Sequence, residues 1–303
     1  MKNIIRIIIG LIITCVLAGL VMGGVFTLTH EKKQENEHLR FQETMLGLLG
    51  FGKGNPAPQD LRFVSIYRYT LEDPKDPERK DLGYIVPVFK DEKEVFKLLI
   101  MSQEGEFKKA LDLNLAMDKA MEEQERQKAL EQTLGKGVKL SFGDAIILAK
   151  KGNERIAFLL PGRFPGFKTV IKVMLALSPE YTIKGLEIME HEEDPGLGGE
   201  ITQDYFRNQF VGKPFSKLVE LKVVKEPLPD EYRKVLEATR GHVSSEQEKA
   251  LSQYKDREIY ALTGATISSR AVTEGVKNIV RNFAYRFQNL EKVLASQGLS
   301  PAF

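Results

Sequence analysis

No residue between Ile7 and Leu28 is charged, and Ile4 and Ile5 extend the run behind a single interruption at Arg6. About 20 apolar residues suffice for a helix to cross a bilayer. A cleaved signal peptide would have a shorter apolar core ending at small residues, whereas this run continues past Ala18-Gly19 and Gly23-Gly24, so it is read as a retained anchor. Lys2 and Arg6 precede the span and Lys32, Lys33 and Arg40 follow it, so the Lys/Arg count leaves its orientation open. Beyond His30 a charged segment grades into Leu39, Phe41, Met45, Leu46, Leu48 and Leu49, the pattern of a helix turning amphipathic. Gly50 to Pro58 reads as a linker.

Further on, the period of the pattern changes. Arg62 to Tyr69 and Tyr84 to Phe89 read as strands, the second at a sheet edge because Pro87 lacks a donor, and Leu71 to Asp81 has the Pro and Asp content of a loop. Leu111 to Leu134 reads as a charged helix with Leu113, Met117, Ala120 and Met121 as its inner stripe and Glu123-Gln124-Glu125-Arg126 on its solvated face. Ile156 to Leu160 predicts a strand, Pro161 to Phe167 a turn, and Thr169 to Leu177 a strand apolar on both faces apart from Lys172. Ser178-Pro179-Glu180 then turns the chain back antiparallel into Tyr181 to Glu190. Glu226 to Lys255, rich in charge and carrying Pro227 and Pro229, reads as an exposed excursion. Glu258 to Leu262 ends in a strand, and Val272, Val276, Ile279, Val280, Phe283 and Phe287 recur at helical spacing opposite Glu274, Lys277, Asn278 and Arg281.

Composition narrows the chemistry. With 42% hydrophobic residues in 303, the chain can bury a real core, and 44 basic against 42 acidic residues give +2, which offers nothing for nucleic acid. A single cysteine, Cys15, lies in the apolar run, which excludes an internal disulfide framework and a cysteine-held zinc or iron–sulfur site in this chain alone. His30, His38, His191 and His242 have no metal-ligand spacing, and no metal site is expected. His191 stands beside Glu192, Glu193 and Asp194, but neighbours on a strand point to opposite faces, so it reads as a surface histidine. Redox chemistry here would need an organic cofactor.

Candidate chemistry concentrates at Thr263-Gly264-Ala265-Thr266-Ile267-Ser268-Ser269-Arg270, a tight turn between a strand end and a helix. Gly264 and Ala265 leave room for another molecule, Thr266 falls where an N-cap would sit, and the amides of Ile267, Ser268 and Ser269 would face outward beside two serine hydroxyls. That is a phosphate site in outline. A threonine cap after a Gly-Ala turn is also ordinary helix punctuation, and the residues alone do not choose between the two.

Thr263-Gly264-Ala265-Thr266-Ile267-Ser268-Ser269 resembles the flavinylation motif of the FMN-binding domain in the G subunit of Rnf-type electron-transport complexes and in the C subunit of the sodium-pumping NADH:quinone reductase. In that family the last threonine of the motif, here Thr266, carries FMN through a phosphoester formed by a separate flavin transferase. An Asp usually stands where this chain has Tyr260. Glu193-Asp194-Pro195-Gly196-Leu197-Gly198 is similar to the family's Glu-Thr-Pro-Gly-Leu-Gly segment, with Asp194 in the Thr position, and Phe206, Phe210 and Val211-Gly212-Lys213 match the short helix after it.

The resemblance implies an α+β protein: one N-terminal transmembrane helix, then an FMN-binding domain with a twisted, mainly antiparallel sheet flanked by helices. The expected division is an anchor at 1–30, a membrane-proximal helix and elaboration region at 31–150, and the FMN-binding domain at 151–295. Thr266 would be the covalent attachment site, with Thr263, Gly264, Ala265, Ser268 and Ser269 around it, and Pro195, Gly196, Leu197 and Gly198 against the ring. The implied role is electron relay, not stand-alone catalysis, so no catalytic residue is assigned. Implied partners are the membrane, the integral membrane and iron–sulfur subunits of the complex and the flavin transferase, with the domain on the outer face of the plasma membrane. A flavoprotein like the quinone reductase's C subunit, an anchored assembly module without flavin and a lone flavin reductase are the other readings; the last lacks a nicotinamide-phosphate loop.

Overall fold

The uncharged run forms the first part of helix α1 (Lys2–Leu48), whose stretch Ile4–Thr29 has mean hydropathy 2.8 and is not buried against any other part of the protein. At 1.5 Å per residue those 26 residues rise about 39 Å, enough to cross a bilayer. The computed structural model describes residues 2–73, 76–135, 137–238 and 245–303, so His242 and the middle of the expected excursion lie outside it. The chain divides into a unit Met1–Met45 and a unit Leu46–Phe303.

The larger unit is built on antiparallel strands β1 (Leu61–Asp73), β2 (Asp76–Lys90), β3 (Lys93–Met101), β4 (Phe107–Leu113), β5 (Lys139–Lys151), β6 (Glu154–Pro165), β7 (Val170–Leu177) and β8 (Ile183–Glu190), with α2 (Glu123–Leu134) between β4 and β5. They order as β4-β3-β2-β1-β5-β6-β7-β8, so strands from either side of residue 150 share one sheet. After β8 come two short helices, α3 (Asp204–Arg207) and α4 (Phe215–Leu218), strand β9 (Val223–Val224), and helices α5 (Asp230–Ala238) and α6 (Ser245–Ser252). Strand β10 (Ile259–Tyr260) pairs parallel to β9, the long helix α7 (Thr266–Ser296) follows, and β11 (Ser300–Pro301) closes onto β2.

Alternation along the strands feeds two cores, since successive side chains leave opposite faces. Ile66, Val86, Leu99, Leu148, Phe158 and Leu175 join Val272, Val276, Val280, Phe283 and Phe287 of α7 in the larger core. Their neighbours Tyr67, Ile85 and Leu98 join Leu130 of α2 in a second. Glycines let α7 lie close on β6: a Cβ at Gly162 would strike Ile279, and one at Gly275 would strike the ring of Phe164.

Four expectations are corrected. The described residues of Leu71 to Asp81 are not a loop but the paired ends of β1 and β2, because Leu71, Leu82 and Tyr84 supply apolar anchors and Glu72 pairs with Lys80 across the strands. Strand β2 is not an edge: Pro87 sits where β1 has stopped pairing, and the Ala302 amide donates to its carbonyl from the β11 side, so the missing N–H falls where no ladder needs it. Pro161 likewise continues β6 to Pro165 beyond its last pairing with β5, which shrinks the expected turn to the residues after Pro165. The helix expected from Leu111 is confined to α2; Leu113 belongs to β4, Met117 and Met121 are exposed, and Arg126 from the supposed solvated face is only 4% exposed. Arg126 lies 4.0 Å over the Tyr67 ring and donates to Tyr69 Oη and to the carbonyls of Ala120 and Met121, which satisfies the buried guanidinium. The described parts of the expected excursion also contribute to a small core, in which Tyr232, Leu236 and Leu251 are buried with Val211 and Tyr260.

Candidate functional site

The strand–turn–helix expected near the C-terminus is present, with one shift. Ala265 is the N-cap residue of α7, with φ −131° and ψ 41°, and Thr266 is the first helical residue. The Ala265 carbonyl accepts from the Ser269 amide, so Ser269 is not one of the free donors; the amides of Thr266, Ile267 and Ser268 are the ones without an intrahelical acceptor. Gly264 turns the chain with φ +75°, a conformation that disfavours any residue with a Cβ.

The serine hydroxyls are not offered to an outside anion. Ser269 Oγ accepts from the Leu262 amide at 2.9 Å and donates to the Ala265 carbonyl at 2.9 Å, which locks the turn from within. Ser268 Oγ donates to Oε2 of Glu193, and both serines are buried. Among the described residues, Thr263 and Thr266 have no such hydroxyl partner; Thr263 is exposed and Thr266 half-buried. Arg270 is exposed.

Glu193 brings the second segment to the same place. Its carboxylate, 4% exposed, accepts from the Phe167 and Lys168 amides at 2.8 and 3.2 Å as well as from Ser268. A Cβ on Gly198 would lie 2.6 Å from Ser268 Oγ and 2.8 Å from Glu193 Oε2, so only glycine fits there. Pro195, Gly196 and Leu197 are exposed; Gly196 has φ +73° with open space where a Cβ would point. Leu197 leans on the turn, its Cδ2 3.0 Å from where a Cβ of Gly264 would be. Asp194 forms an ion pair with Lys168 at 2.5 Å, and that bond holds the Lys168 ammonium above the usual lysine range. His191 is half-buried and its Nδ1 accepts from the Glu193 amide, which fixes the entry to the loop.

Two further polar residues support the turn. Gln209 is buried, and its side chain accepts from the Tyr260 amide at 2.8 Å and donates to the Tyr260 carbonyl at 3.3 Å. Lys213 is fully buried, its ammonium donating to the carbonyls of Arg257, Lys255 and Tyr254 at 2.5, 3.2 and 3.4 Å. Burial, with Lys217 nearby, lowers its pKa to about 8. Tyr260, in the position of the expected Asp, is 7% exposed and packs edge-on against Tyr232, which stacks on Tyr254. From the sequence, Glu193 and Lys213 stood out only as parts of family-like segments with no role of their own, and Gln209 not at all. The only signal for Glu193 was its place in the Pro-Gly-Leu-Gly segment, and strand logic hid it, because the chain has left β8 by that point.

The surface that results fits a phosphorylated planar group. The amides without intrahelical acceptors and the unengaged Thr266 hydroxyl share the first turn of α7, and a glycine-edged loop capped by the exposed Leu197 packs against the turn before it. Residues 166–281 match the FMN-binding domain family, a span that includes both segments. Over 132 residues the chain is 33% identical to the G subunit of the proton-translocating ferredoxin:NAD+ oxidoreductase complex of Clostridium ljungdahlii, covering 44% of this chain and 56% of that protein. It is 26% identical over 143 residues to the C subunit of the Na+-translocating NADH-quinone reductase of Vibrio anguillarum, covering 47% and 48%. The matched segments thus span about half the length of these relatives. The crystal structure of NqrC from Shewanella oneidensis superposes with a TM-score of 0.40 at 17% identity, covering 62% of this chain and 80% of that one.

Proposed function

We propose that this protein, with an FMN-binding domain match over residues 166–281, is the membrane-anchored flavoprotein subunit of an ion-translocating Rnf-type complex, carrying FMN by a phosphoester to Thr266 Oγ1. The observation that carries the attachment site is the division of labour among four hydroxyls: Ser268 and Ser269 are engaged inward, Thr263 lies outside the helix, and Thr266 is free on its first residue. The amides of Thr266, Ile267 and Ser268 donate toward the phosphate, in the positive end of the α7 dipole. Gly196 and Gly198 keep the loop backbone accessible, and Leu197 offers an apolar face to the ring beside Gly264. Bound FMN supplies one- and two-electron transfer. The chain's own part is to attach, orient and partly shield the cofactor, so no side chain is assigned a proton-transfer or nucleophilic role.

Helix α1 anchors the domain in the plasma membrane with the flavin on the outer face, where a flavin transferase loads it and the integral membrane and iron–sulfur subunits exchange electrons with it. The corresponding flavoprotein of the quinone reductase is the competing role, since a C subunit of that kind also matches over 143 residues. The decisive measurement is intact mass of the full-length protein purified from its own host, followed by mapping of the modified peptide. One FMN esterified to the peptide containing Thr266 is expected; an unmodified chain overturns the proposal.

A further inference from the structure

Among the described residues, Glu193 is the one carboxylate that joins all three segments of the site, and it does so from inside the protein. Oε1 takes the Phe167 and Lys168 amides from the turn after β6, Oε2 takes the Ser268 hydroxyl from the first turn of α7, and the residue itself begins the loop that presents Leu197. Glycines line it on two sides: a Cβ at Gly166 would stand 2.5 Å from Oε1, and one at Gly198 would stand 2.8 Å from Oε2. Every one of these partners donates and the carboxylate only accepts, which is how an ionised carboxylate is satisfied. The nearby Lys168 ammonium bonds directly to Asp194 and reaches Glu193 only through space, so the charge of Glu193 is offset chiefly by hydrogen bonds and by the end of the α7 dipole.

We infer that Glu193 is a positioning residue that seats the Leu197 loop on the Thr266 turn and, through its fixed negative charge, lowers the reduction potential of the flavin held there. The inference rests on the proposed function. Ser268 is two residues along the helix from Thr266, and Leu197 touches Gly264, so the carboxylate lies beneath the surface assigned to the cofactor. A buried charge is poorly screened by salt or water. Each electron taken up by the ring adds negative charge near Glu193, which makes uptake less favourable.

The test uses the full-length flavin-bearing protein in detergent, with the midpoint potential of the covalent flavin read by spectroelectrochemical titration. In Glu193→Gln the amide oxygen still accepts from Phe167 and Lys168 and the amide nitrogen can donate to Ser268, so the seat remains while the charge is removed; the potential should shift positive. In Ser268→Ala the carboxylate loses one of three donors and its charge is less offset; the potential should shift negative. Opposite signs separate an electrostatic role from simple loosening, which would admit water and move both variants the same way. Equal potentials in all three proteins, or shifts of one sign, overturn the inference and leave the functional proposal standing. Wild-type chain without flavin overturns both. Where Glu193→Gln yields no folded, flavin-bearing protein, Ser268→Ala decides alone, and absence of a negative shift overturns the inference.

Discussion

Leu197 lies against Gly264, so close that a single methyl on the glycine would reach 3.0 Å from Leu197 Cδ2. The contact joins a loop after β8 to a turn before α7, and on the proposed function it is the seam on which the flavin ring would rest. It makes Gly196, next to Leu197, the cleanest probe of the loop. Gly196→Val meets no neighbouring atom, but it forces a β-branched residue to φ +73°, at a cost of roughly 1–2 kcal/mol. We expect the variant to fold with altered flavin absorbance and slower electron transfer. Wild-type spectra and potential would reduce the loop to a connection.

Thr266→Val should abolish flavin fluorescence in denaturing gels, because it removes the oxygen of the proposed ester while keeping the branched shape. Since Ala265 and not Thr266 is the N-cap, no cap is lost, and stability should stay within about 0.5 kcal/mol of wild type. Thr263→Val should weaken the signal at most, and Thr266→Ser tests whether the transferase needs the methyl. A fluorescent band from Thr266→Val places the attachment elsewhere.

Lys213 gives a pH signature. Its pKa is about 8 in the folded protein against an ordinary 10.5, so between those values the unfolded chain binds more protons and folding stability attributable to Lys213 rises with pH. That contribution is lost as pH falls through about 8. Urea denaturation of wild type and Lys213→Met at pH 7.5 and 10 should show the difference between the two proteins moving in favour of wild type at the higher pH; a constant difference refutes the shift.

Arg126→Leu should cost about 3 kcal/mol, because it strands the Ala120 and Met121 carbonyls and the Tyr69 hydroxyl while removing the cation over Tyr67. The urea midpoint is the measure, and a loss below about 0.5 kcal/mol would mean the site is solvated in solution.

Topology is checked by fusion. A reporter placed after Phe303 should be active on the outer side of the membrane, and activity confined to the cytoplasm contradicts the proposed orientation.

The strands, the apolar helix and the turn before α7 were legible because each carries a local signature: β-rich composition around Ile66, a run apolar on both faces around Leu175, the uncharged Ile7 to Leu28, and Gly264 between Thr263 and Thr266. What was misread depended on neighbours that the local pattern does not contain. Pro87 looks like an edge signal until β11 is seen to replace β1 beside it. Arg126 looks solvated until Tyr67 and Tyr69 arrive from a strand far upstream. Ser268 and Ser269 look available until Glu193 and Leu262 claim them.

The Glu193 junction also bears on the order of folding. Its bonds span 26 residues to Phe167 and 75 to Ser268, so the loop must close over most of residues 166–281 before the carboxylate has its donors. Such separations make a contact late and cooperative, since the entropy of closure is lost before the hydrogen bonds compensate it. A nascent or misfolded chain therefore displays Thr266 without the seat beside it. On the proposed reading, attaching the flavin and seating its ring are separate events, and only chains that have finished folding complete the second.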